Sequence, residues 1–353
     1  MIIKKFILLV FGIIDEIKDF LLVWGIRIGI FLFICMIFHN VVKMSEISTR
    51  YTGEYKKLVE VYPEENKMMN IYATGSGSKT IVILPGFGSQ SPIMQYKTLV
   101  DGLKSSYRVV VVEYFGYGYS MGIDKERTNS NISYEIKKAL ESAEISGPYI
   151  LMPHSLSNVY AMHFESTYPE LVQAIISIDG LYPVEVKDKY HLQKQNDNIA
   201  NIRMTSIFEL TGFERVLSYV SPKAFYIDKM KAMPDIYGKE EISIYRNRIG
   251  SSYLTRTMVR EIENIVNNMN EMQDYAYPEY LPVLSILSSD SVAQYDNAKA
   301  KLGASVDLKQ IAEYSRTNTG IQKVQIVTGD HMLQLSNPNE LLTKIENFLV
   351  TIY

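Results

Sequence analysis

Ser155 stands between two runs of different character in the stretch YILMPHSLSNVYAMHF. The apolar run that ends at Met152 is typical of a buried strand, and the run that continues to Thr167 has helical spacing. A serine at a sharp strand-to-helix turn presents its hydroxyl as a nucleophile, and the residues two positions before and after it are usually glycines. Here they are Pro153 and Ser157. A serine before a helix is also an ordinary N-cap, so these residues alone leave both interpretations open.

The elements that would position this serine alternate between strands and helices. Eight short apolar runs are predicted to be strands: KKLVEVY, KMMNIYA, TIVILPG, YRVVVVEY, YILMP, AIISIDG, PVLSILSSD and KVQIVTGDH. Several are continuously apolar, as expected of strands that helices cover on both faces. Helical spacing occurs between them in LVDGLKSS, NISYEIKKALESAEI, LSNVYAMHFESTYPELV and NELLTKIENFL. We therefore predict an α/β fold with a mostly parallel sheet.

The composition excludes several classes of function. The chain has 353 residues, of which 47% are hydrophobic and 21% charged, so it can bury a large core. Its net charge of -3 leaves no basic surplus, and nucleic acid is therefore not an expected partner. Cys35 is the single cysteine, which precludes an intrachain disulfide and any Cys-x-x-Cys motif. We predict neither a metal site nor a cofactor.

The most apolar region runs from Phe20 to Val42 and is long enough to cross a hydrocarbon core of roughly 30 Å as a helix. Arg27 is its only formal charge and can extend toward the nearer interface. No small-x-small cleavage site follows, which favours an uncleaved anchor over a signal peptide. A buried hairpin of amphipathic helices that includes the preceding run FILLVFGII is the remaining alternative.

Lysines and arginines flank this run on both sides, so the charge pattern does not decide the orientation. We expect a single-pass membrane protein with the short N-terminal tail inside and the remainder of the chain extracytoplasmic.

From about Glu54 to Tyr353 the chain resembles an α/β-hydrolase with a cap domain. TIVILPGFGSQS resembles the third strand and oxyanion loop of that fold, and VVVVEYFGYGYS resembles the next strand and its G-x-G-x-S turn. MPHSLSNVYAMHFESTYPELVQAIISIDG resembles the nucleophile elbow, its helix and the following strand. PVLSILSSDS resembles the strand that delivers the acid, and GDHMLQLSNPNELLTKIENFL resembles the loop of the catalytic histidine and the last helix. The resemblance implies an eight-stranded, mostly parallel sheet with a helical cap inserted after the sixth strand.

The resemblance also implies a role for three side chains. Ser155 is expected to be the nucleophile, and His331, after the last strand, the base that activates it. Asp290, after the seventh strand, is the favoured acid that orients the imidazole. Asp179 stays open as the alternative acid, because some relatives take this carboxylate from the end of the previous strand.

Two backbone amides are expected, by position alone, to form the oxyanion hole. They belong to Phe87, just after Pro85-Gly86, and to Leu156, just after the serine.

The predicted domains follow from the same resemblance. Residues 1–43 form the tail and transmembrane anchor, 44–53 a linker, 54–180 and 280–353 the hydrolase core, and 181–279 the helical cap. Cap stretches such as TSIFELTGFERVLSYV look helical. A cap implies an enclosed site for a small molecule, but its aromatic and methionine residues are equally typical of cap core, so we assign none of them to substrate.

The expected function is a membrane-anchored serine hydrolase that acts on a small-molecule acyl ester through a Ser-His-Asp triad. A peptidase or amidase of the same fold is the runner-up, and acidic cap residues that bind a free amine would distinguish it. A membrane-anchored module that kept the fold but lost catalysis is the non-enzyme alternative, suggested by Pro153 and Ser157. Haloalkane dehalogenase chemistry is disfavoured, because its elbow nucleophile is aspartate.

Overall fold

The computed structural model of the chain describes residues 2–48, 53, 55–206 and 211–352. Side chains are described in these ranges except at residues 2–15, 43–48 and 252. Residues 49–52 of the predicted linker and residues 207–210 of the predicted helical stretch in the cap lie outside the described residues.

Eight strands form one sheet, as predicted. They are β1 (Leu58–Tyr62), β2 (Lys67–Thr74), β3 (Thr80–Leu84), β4 (Arg108–Glu113), β5 (Tyr149–Pro153), β6 (Val172–Ile178), β7 (Val283–Ser288) and β8 (Gln322–Val327). Their order in the sheet is β1-β2-β4-β3-β5-β6-β7-β8. Strand β2 is antiparallel to both of its neighbours, and the pairs from β4 to β8 are all parallel. The sheet is therefore mostly parallel, as the continuous apolar runs indicate.

The described helices cover both faces of this sheet, form the cap or belong to the N-terminal segment. They are α1 (Ile2–Ser48), α2 (Pro92–Gln95), α3 (Lys97–Leu103), α4 (Asn129–Ser142), α5 (Ser157–Thr167), α6 (Lys189–Ser206), α7 (Phe213–Val220), α8 (Ile227–Lys231), α9 (Lys239–Ser252), α10 (Arg256–Met272), α11 (Ser289–Lys301), α12 (Leu308–Tyr314), α13 (Leu333–Ser336) and α14 (Pro338–Ile352).

Successive residues of the inner strands contribute to two separate cores. In β4, Val110 and Val112 pack with α4, α5 and α12, whereas Val109 and Val111 pack with α3, α13 and α14 on the opposite face. Every residue of β3 and β5 is buried. Burial on both faces explains why these strands read as uninterrupted apolar runs.

Helices α6 to α10 form a cap between β6 and β7, which is the predicted place of insertion. Buried polar groups hold α10 on the core. The hydroxyls of Tyr117 and Tyr160 donate to the Glu261 carboxylate over 2.9 and 3.1 Å. Burial raises the pKa of Glu261 to about 7, although Arg127 and the two hydroxyls oppose that increase. The buried ion pair between Arg127 and Glu135, at 2.8 Å, completes this cluster.

Helix α1 is continuous from Ile2 to Ser48, so the hairpin alternative is not formed and the helix extends into the predicted linker. Its section from Glu16 to Val42 is long and apolar enough to cross a membrane, and only 6% of its most apolar window is buried. A signal sequence near an N-terminus has the same length and composition.

The second half of α1 packs against the cap. The rings of Phe31 and Phe213 lie edge to face with their centroids 6.2 Å apart, and Gly212 lies directly against His39. Cys35 falls between Phe31 and His39 on the same helical face and is 2% exposed. Helices α7 and α9 provide the cap surface that α1 contacts.

Candidate active site

Ser155 lies at the turn between β5 and α5 with a φ of 54°. This is the left-handed region, which a residue with a Cβ rarely adopts and which costs about 1–3 kcal/mol. The surrounding backbone holds it there: its amide donates to Ile178, and its carbonyl accepts from Asn158 and Leu181 over 3.0 and 2.9 Å. The N-cap of α5 is Leu156, with no side-chain cap, so Ser155 does not serve as an ordinary N-cap.

The residues that replace the usual elbow glycines fit this turn. Pro153 ends β5 in register with Leu84 of β3. The Ser157 hydroxyl is buried; it donates to the carbonyl of Pro85 and accepts from the Tyr114 hydroxyl, 2.9 Å away. Ser157 therefore joins the start of α5 to the expected oxyanion loop, a contact that glycine could not make.

The carboxylate that meets His331 belongs to Asp179, which directly follows β6. Asp179 Oδ2 is 2.7 Å from Nδ1 of His331. Its Oδ1 accepts from the Ser288 amide over 2.6 Å, and its Oδ2 also accepts from the hydroxyls of Ser288 and Ser291. Burial alone would raise the pKa of Asp179, but the bonds from His331 and the two serines outweigh it and lower the pKa below its ordinary value.

The expected contact between Asp290 and His331 is therefore corrected to one between Asp179 and His331. Asp290 is exposed in the first turn of α11, where its amide donates to Gly329 and its carboxylate accepts from Ser289. In that position its negative charge stabilises the positive end of the helix dipole. Asp179, which the sequence left open as the alternative acid, is the carboxylate that the fold places beside the imidazole.

The loop after β3 approaches the serine closely. A Cβ added to Gly86 would lie 2.6 Å from Nδ1 of His154 and 3.2 Å from Cβ of Ser155, so this position requires glycine. Within the described part of the chain, the amides of Phe87 and Leu156 donate to no protein acceptor. Their expected role in an oxyanion hole requires amides that are free in this way.

His154 connects the two sides of the site. Its Nδ1 accepts from the Tyr96 hydroxyl over 2.8 Å, and its Nε2 donates to the His331 carbonyl over 2.9 Å. The Tyr96 hydroxyl in turn accepts from the Gly86 amide over 3.0 Å. Burial lowers the pKa of His154 well below its ordinary value, and the neighbouring His331 lowers it further. A neutral ring with its proton on Nε2 satisfies both bonds.

The loop that carries His331 is also tied to the cap. Asp330 forms an ion pair with Lys229 of α8 and accepts from the Met332 amide over 3.0 Å. Ser155 and His331 line a shared cavity of about 310 Å³ between the core and the cap. The cap thus contacts the histidine loop as well as covering the serine.

Sequence reasoning did not select three residues that shape this site. Ser288 caps α11, and with Ser291 it holds the Asp179 carboxylate. The signal for both serines was the S-S-D-S run after β7, which is typical of a helix start. Tyr96 had no such local signal, because its hydroxyl reaches His154 from the junction of α2 and α3.

Two similar proteins match over most of this chain's length. No family model matches the chain. The uncharacterised protein YbdG of Bacillus subtilis is 27% identical over 280 residues, which cover 78% of this chain and 81% of YbdG. A serine hydrolase-like protein of Danio rerio is 22% identical over 286 residues, covering 78% of this chain and 82% of its own length.

A solved epoxide hydrolase from Bacillus megaterium superposes with a TM-score of 0.59 at 16% identity, covering 83% of this chain and 100% of that structure. At this identity the likeness shows the fold alone. The strand order and this likeness together show that the chain has the α/β-hydrolase fold.

Proposed function

We propose that this protein is a membrane-anchored serine hydrolase that cleaves carboxylic esters, with Ser155 as nucleophile, His331 as base and Asp179 as acid. One observation carries the proposal. His331 Nδ1 lies 2.7 Å from Asp179, and the same histidine shares a cavity with a serine held at a φ of 54°. A strained serine, a buried acid and a histidine, in this order along the chain, are the parts of a catalytic triad.

The proposed mechanism assigns a proton to each step. His331 keeps its proton on Nδ1, where it donates a hydrogen bond to Asp179, and Nε2 takes the proton of Ser155 as the serine oxygen attacks the ester carbonyl. The amides of Phe87 and Leu156 stabilise the resulting oxyanion, by about 3 kcal/mol each in comparable sites. The alcohol leaves with the proton that His331 returns, and water deprotonated by the same histidine then releases the acid from the serine.

The lining of the site favours an ester over a peptide with a free amine. Such an amine would need a carboxylate partner near the serine. Among the described residues that line the two cavities at Ser155, the one carboxylate is that of Asp179, which already accepts from His331, Ser288 and Ser291. The peptidase alternative therefore lacks its expected recognition group.

The nucleophile also distinguishes ester hydrolysis from epoxide opening, the activity that the name of the Bacillus megaterium structure gives to that protein. A serine oxygen that opened an epoxide would be left as an ether, which base-activated water does not cleave. Attack on an ester instead gives an acyl-serine that water can hydrolyse.

Helix α1 supports the membrane part of the proposal, since the apolar side chains from Phe20 to Val41 are largely exposed. In water this surface would be unfavourable, whereas in a bilayer it would be matched. The orientation, with the tail inside and the hydrolase domain extracytoplasmic, stays a sequence prediction.

A fluorophosphonate probe tests the nucleophile in the full-length, detergent-solubilised protein. We expect one labelled peptide, containing Ser155, and hydrolysis of p-nitrophenyl esters whose dependence on chain length defines the acyl preference. Ser155→Ala and His331→Ala should each abolish labelling and hydrolysis. Ser166→Ala replaces an exposed serine on α5, the helix that follows Ser155, and should retain both labelling and hydrolysis. Labelling of a different serine, or none in a folded sample, would contradict the proposal.

A further inference from the structure

Two cavities of different character meet at the serine and the histidine. Both Ser155 and His331 line each of them. The cavity of about 310 Å³, here called the apolar arm, is lined beside its polar groups by the aromatic and aliphatic side chains of Phe87, Leu217, Phe225, Tyr245, Tyr253 and Met332. The cavity of about 250 Å³, here called the polar arm, is lined mainly by polar side chains of α6 and α11, namely Lys194, Gln195, Asn198, Ser291, Gln294 and Tyr295.

Lys194 is the cationic side chain that lines the polar arm, and it also borders a neighbouring cavity of about 190 Å³. Its ammonium lies over the ring of Tyr295, 5.2 Å from the ring centroid. In the part of the chain that the structure describes, no carboxylate forms an ion pair with it. A partly buried lysine that forms no ion pair attracts an anion more strongly than a lysine at an open surface, because water screens its charge less.

The carboxylates near the polar arm are already engaged. Asp179 accepts hydrogen bonds from His331, Ser288 and Ser291. Glu185 lies behind Tyr295, whose hydroxyl donates to it over 2.7 Å. Burial raises the pKa of Glu185 to about 7, and the charge of Lys194 opposes that increase, but neither carboxylate forms an ion pair with this lysine. Lys194 can therefore still bind an anion in the polar arm.

The apolar arm lies on the side of the membrane helix. Leu217, which lines it, belongs to α7, and α7 packs against α1 through Phe213 and Phe31. The polar arm is formed by α6 and α11 instead. A molecule that fills both arms would therefore have an apolar part toward the membrane helix and a polar part away from it.

We infer that the enzyme acts on amphiphilic esters that carry a negatively charged group on one side of the scissile carbonyl, and that Lys194 selects this group in the polar arm. The apolar group on the other side of the carbonyl occupies the apolar arm. This inference rests on the proposed ester hydrolysis and adds the substrate class to it. The reaction is unchanged: the acyl carbon–oxygen bond breaks, and water supplies the hydroxyl of the acid and the proton of the alcohol.

Two matched pairs of esters test the inference on the full-length protein in detergent micelles. One pair places the charge on the alcohol side, 4-carboxyphenyl octanoate against uncharged 4-carbamoylphenyl octanoate. The other places it on the acyl side, monooctyl succinate against uncharged octyl succinamate. The wild-type protein should prefer the charged member of at least one pair by about tenfold in kcat/KM, which is the scale of one charge-assisted contact.

Lys194→Gln should remove that preference by lowering kcat/KM for the charged member, with the neutral member changed by less than about twofold. Lys194→Glu should reverse the preference. Lys189→Gln is the matched control, since Lys189 is an exposed lysine on the same helix that lines neither arm. The rate of fluorophosphonate labelling at Ser155 should be the same in all variants, which shows that the site is intact.

The outcomes separate the two proposals. If the wild-type protein hydrolyses the neutral esters and labels at Ser155 but shows no charge preference, or if Lys194→Gln slows both members equally, the inference is overturned and the proposed function stands. If the wild-type protein neither labels nor hydrolyses any of the four esters, the proposed function fails and the inference fails with it.

Discussion

At the scale of single residues, Asp179 is held as an acceptor on both of its oxygens. Burial raises the pKa of Asp179, but the bonds from His331, Ser288 and Ser291 outweigh it and lower the pKa, so the carboxylate stays ionised beside the histidine that we propose as the base. Ser288 and Ser291 thus hold the proposed acid in its ionised form. Ser291 also lines the polar arm, whereas Ser288 lines neither arm.

Asparagine substitutions at the two candidate acids should therefore have very different effects. Asp179→Asn keeps the shape but lets the side chain favour the wrong histidine tautomer, so kcat should fall by about four orders of magnitude. Asp290→Asn, in an exposed helix turn, should change kcat by less than about twofold. Steady-state hydrolysis of a p-nitrophenyl ester measures both. An essential Asp290 and a dispensable Asp179 would show that the imidazole turns to the other carboxylate during turnover.

Tyr96 offers a second test at this scale. Tyr96→Phe leaves the Gly86 amide and Nδ1 of His154 buried without their partner, a change that costs about 1–3 kcal/mol. Because both groups border the serine, we expect kcat/KM to fall about tenfold and fluorophosphonate labelling to slow in parallel. Tyr134→Phe, which removes an exposed hydroxyl on α4, is the matched control. Equal rates in the two variants would show that the hydrogen bonds of the Tyr96 hydroxyl to Gly86 and His154 do not support catalysis.

At the scale of secondary-structure elements, all eight strands could be predicted, and the signal is clearest for inner strands such as β3 and β5, because burial on both faces leaves a continuous apolar run in the sequence. The choice between Asp179 and Asp290 could not, because each follows one of two adjacent parallel strands, and only the path of the loop after β8 decides which one meets His331. The packing of α1 on α7 also left no local pattern, because it depends on how the cap is placed.

Glu261 couples the docking of α10 to pH. Its pKa in the folded protein is about 7 against an ordinary value of 4.5, so between these values the folded state keeps a proton that the unfolded state has lost. The stabilisation that Glu261 contributes is therefore greatest below about pH 4.5 and is lost as the pH rises to about 7. Each such group contributes about 1.4 kcal/mol per pH unit. Burial raises the pKa of Glu113 and Glu185 to about 7 as well, so the wild-type slope contains all three.

Glu261→Gln should remove its own share of that slope and stabilise the protein at pH 7 and above. Denaturant unfolding of the detergent-solubilised protein between pH 4.5 and 8 measures it, and Glu279→Gln, an exposed position, is the control. Identical slopes in Glu261→Gln and the wild type would mean that Glu261 is ionised in the folded state.

At the scale of the whole molecule, the anchor is longer than a bilayer requires. The 27 residues from Glu16 to Val42 span about 40 Å as a helix, whereas a hydrocarbon core is about 30 Å thick. The surplus corresponds to about seven residues. The contact with α7 already begins at Phe31, so α7 packs against the last part of the apolar section itself. There α7 exposes Tyr219 and Val220, of which Val220 is 77% exposed. We therefore expect the cap, rather than the distant face of the core, to lie at the membrane surface.

Carbonate washing of membranes tests this arrangement. The full-length protein should remain in the pellet, because the apolar side chains of α1 are matched by lipid. A chain that starts at Ser45 should be released, but with the surface of Gly212 and Phe213 uncovered it should associate with itself more readily than the detergent-solubilised full chain. Release of the full-length protein by carbonate would place α1 outside the bilayer.

The contact between α1 and the cap also provides a way to detect movement of the cap. The chain has one cysteine, and its side chain is 2% exposed on the face of α1 that carries Phe31 and His39 against α7. We expect a membrane-permeant maleimide to react with that sulfur only when α1 and α7 separate. The alkylation rate of Cys35 should therefore measure how often the contact between α1 and α7 opens, and the measurement needs no engineered label. A bound substrate that keeps the two helices together should slow the alkylation.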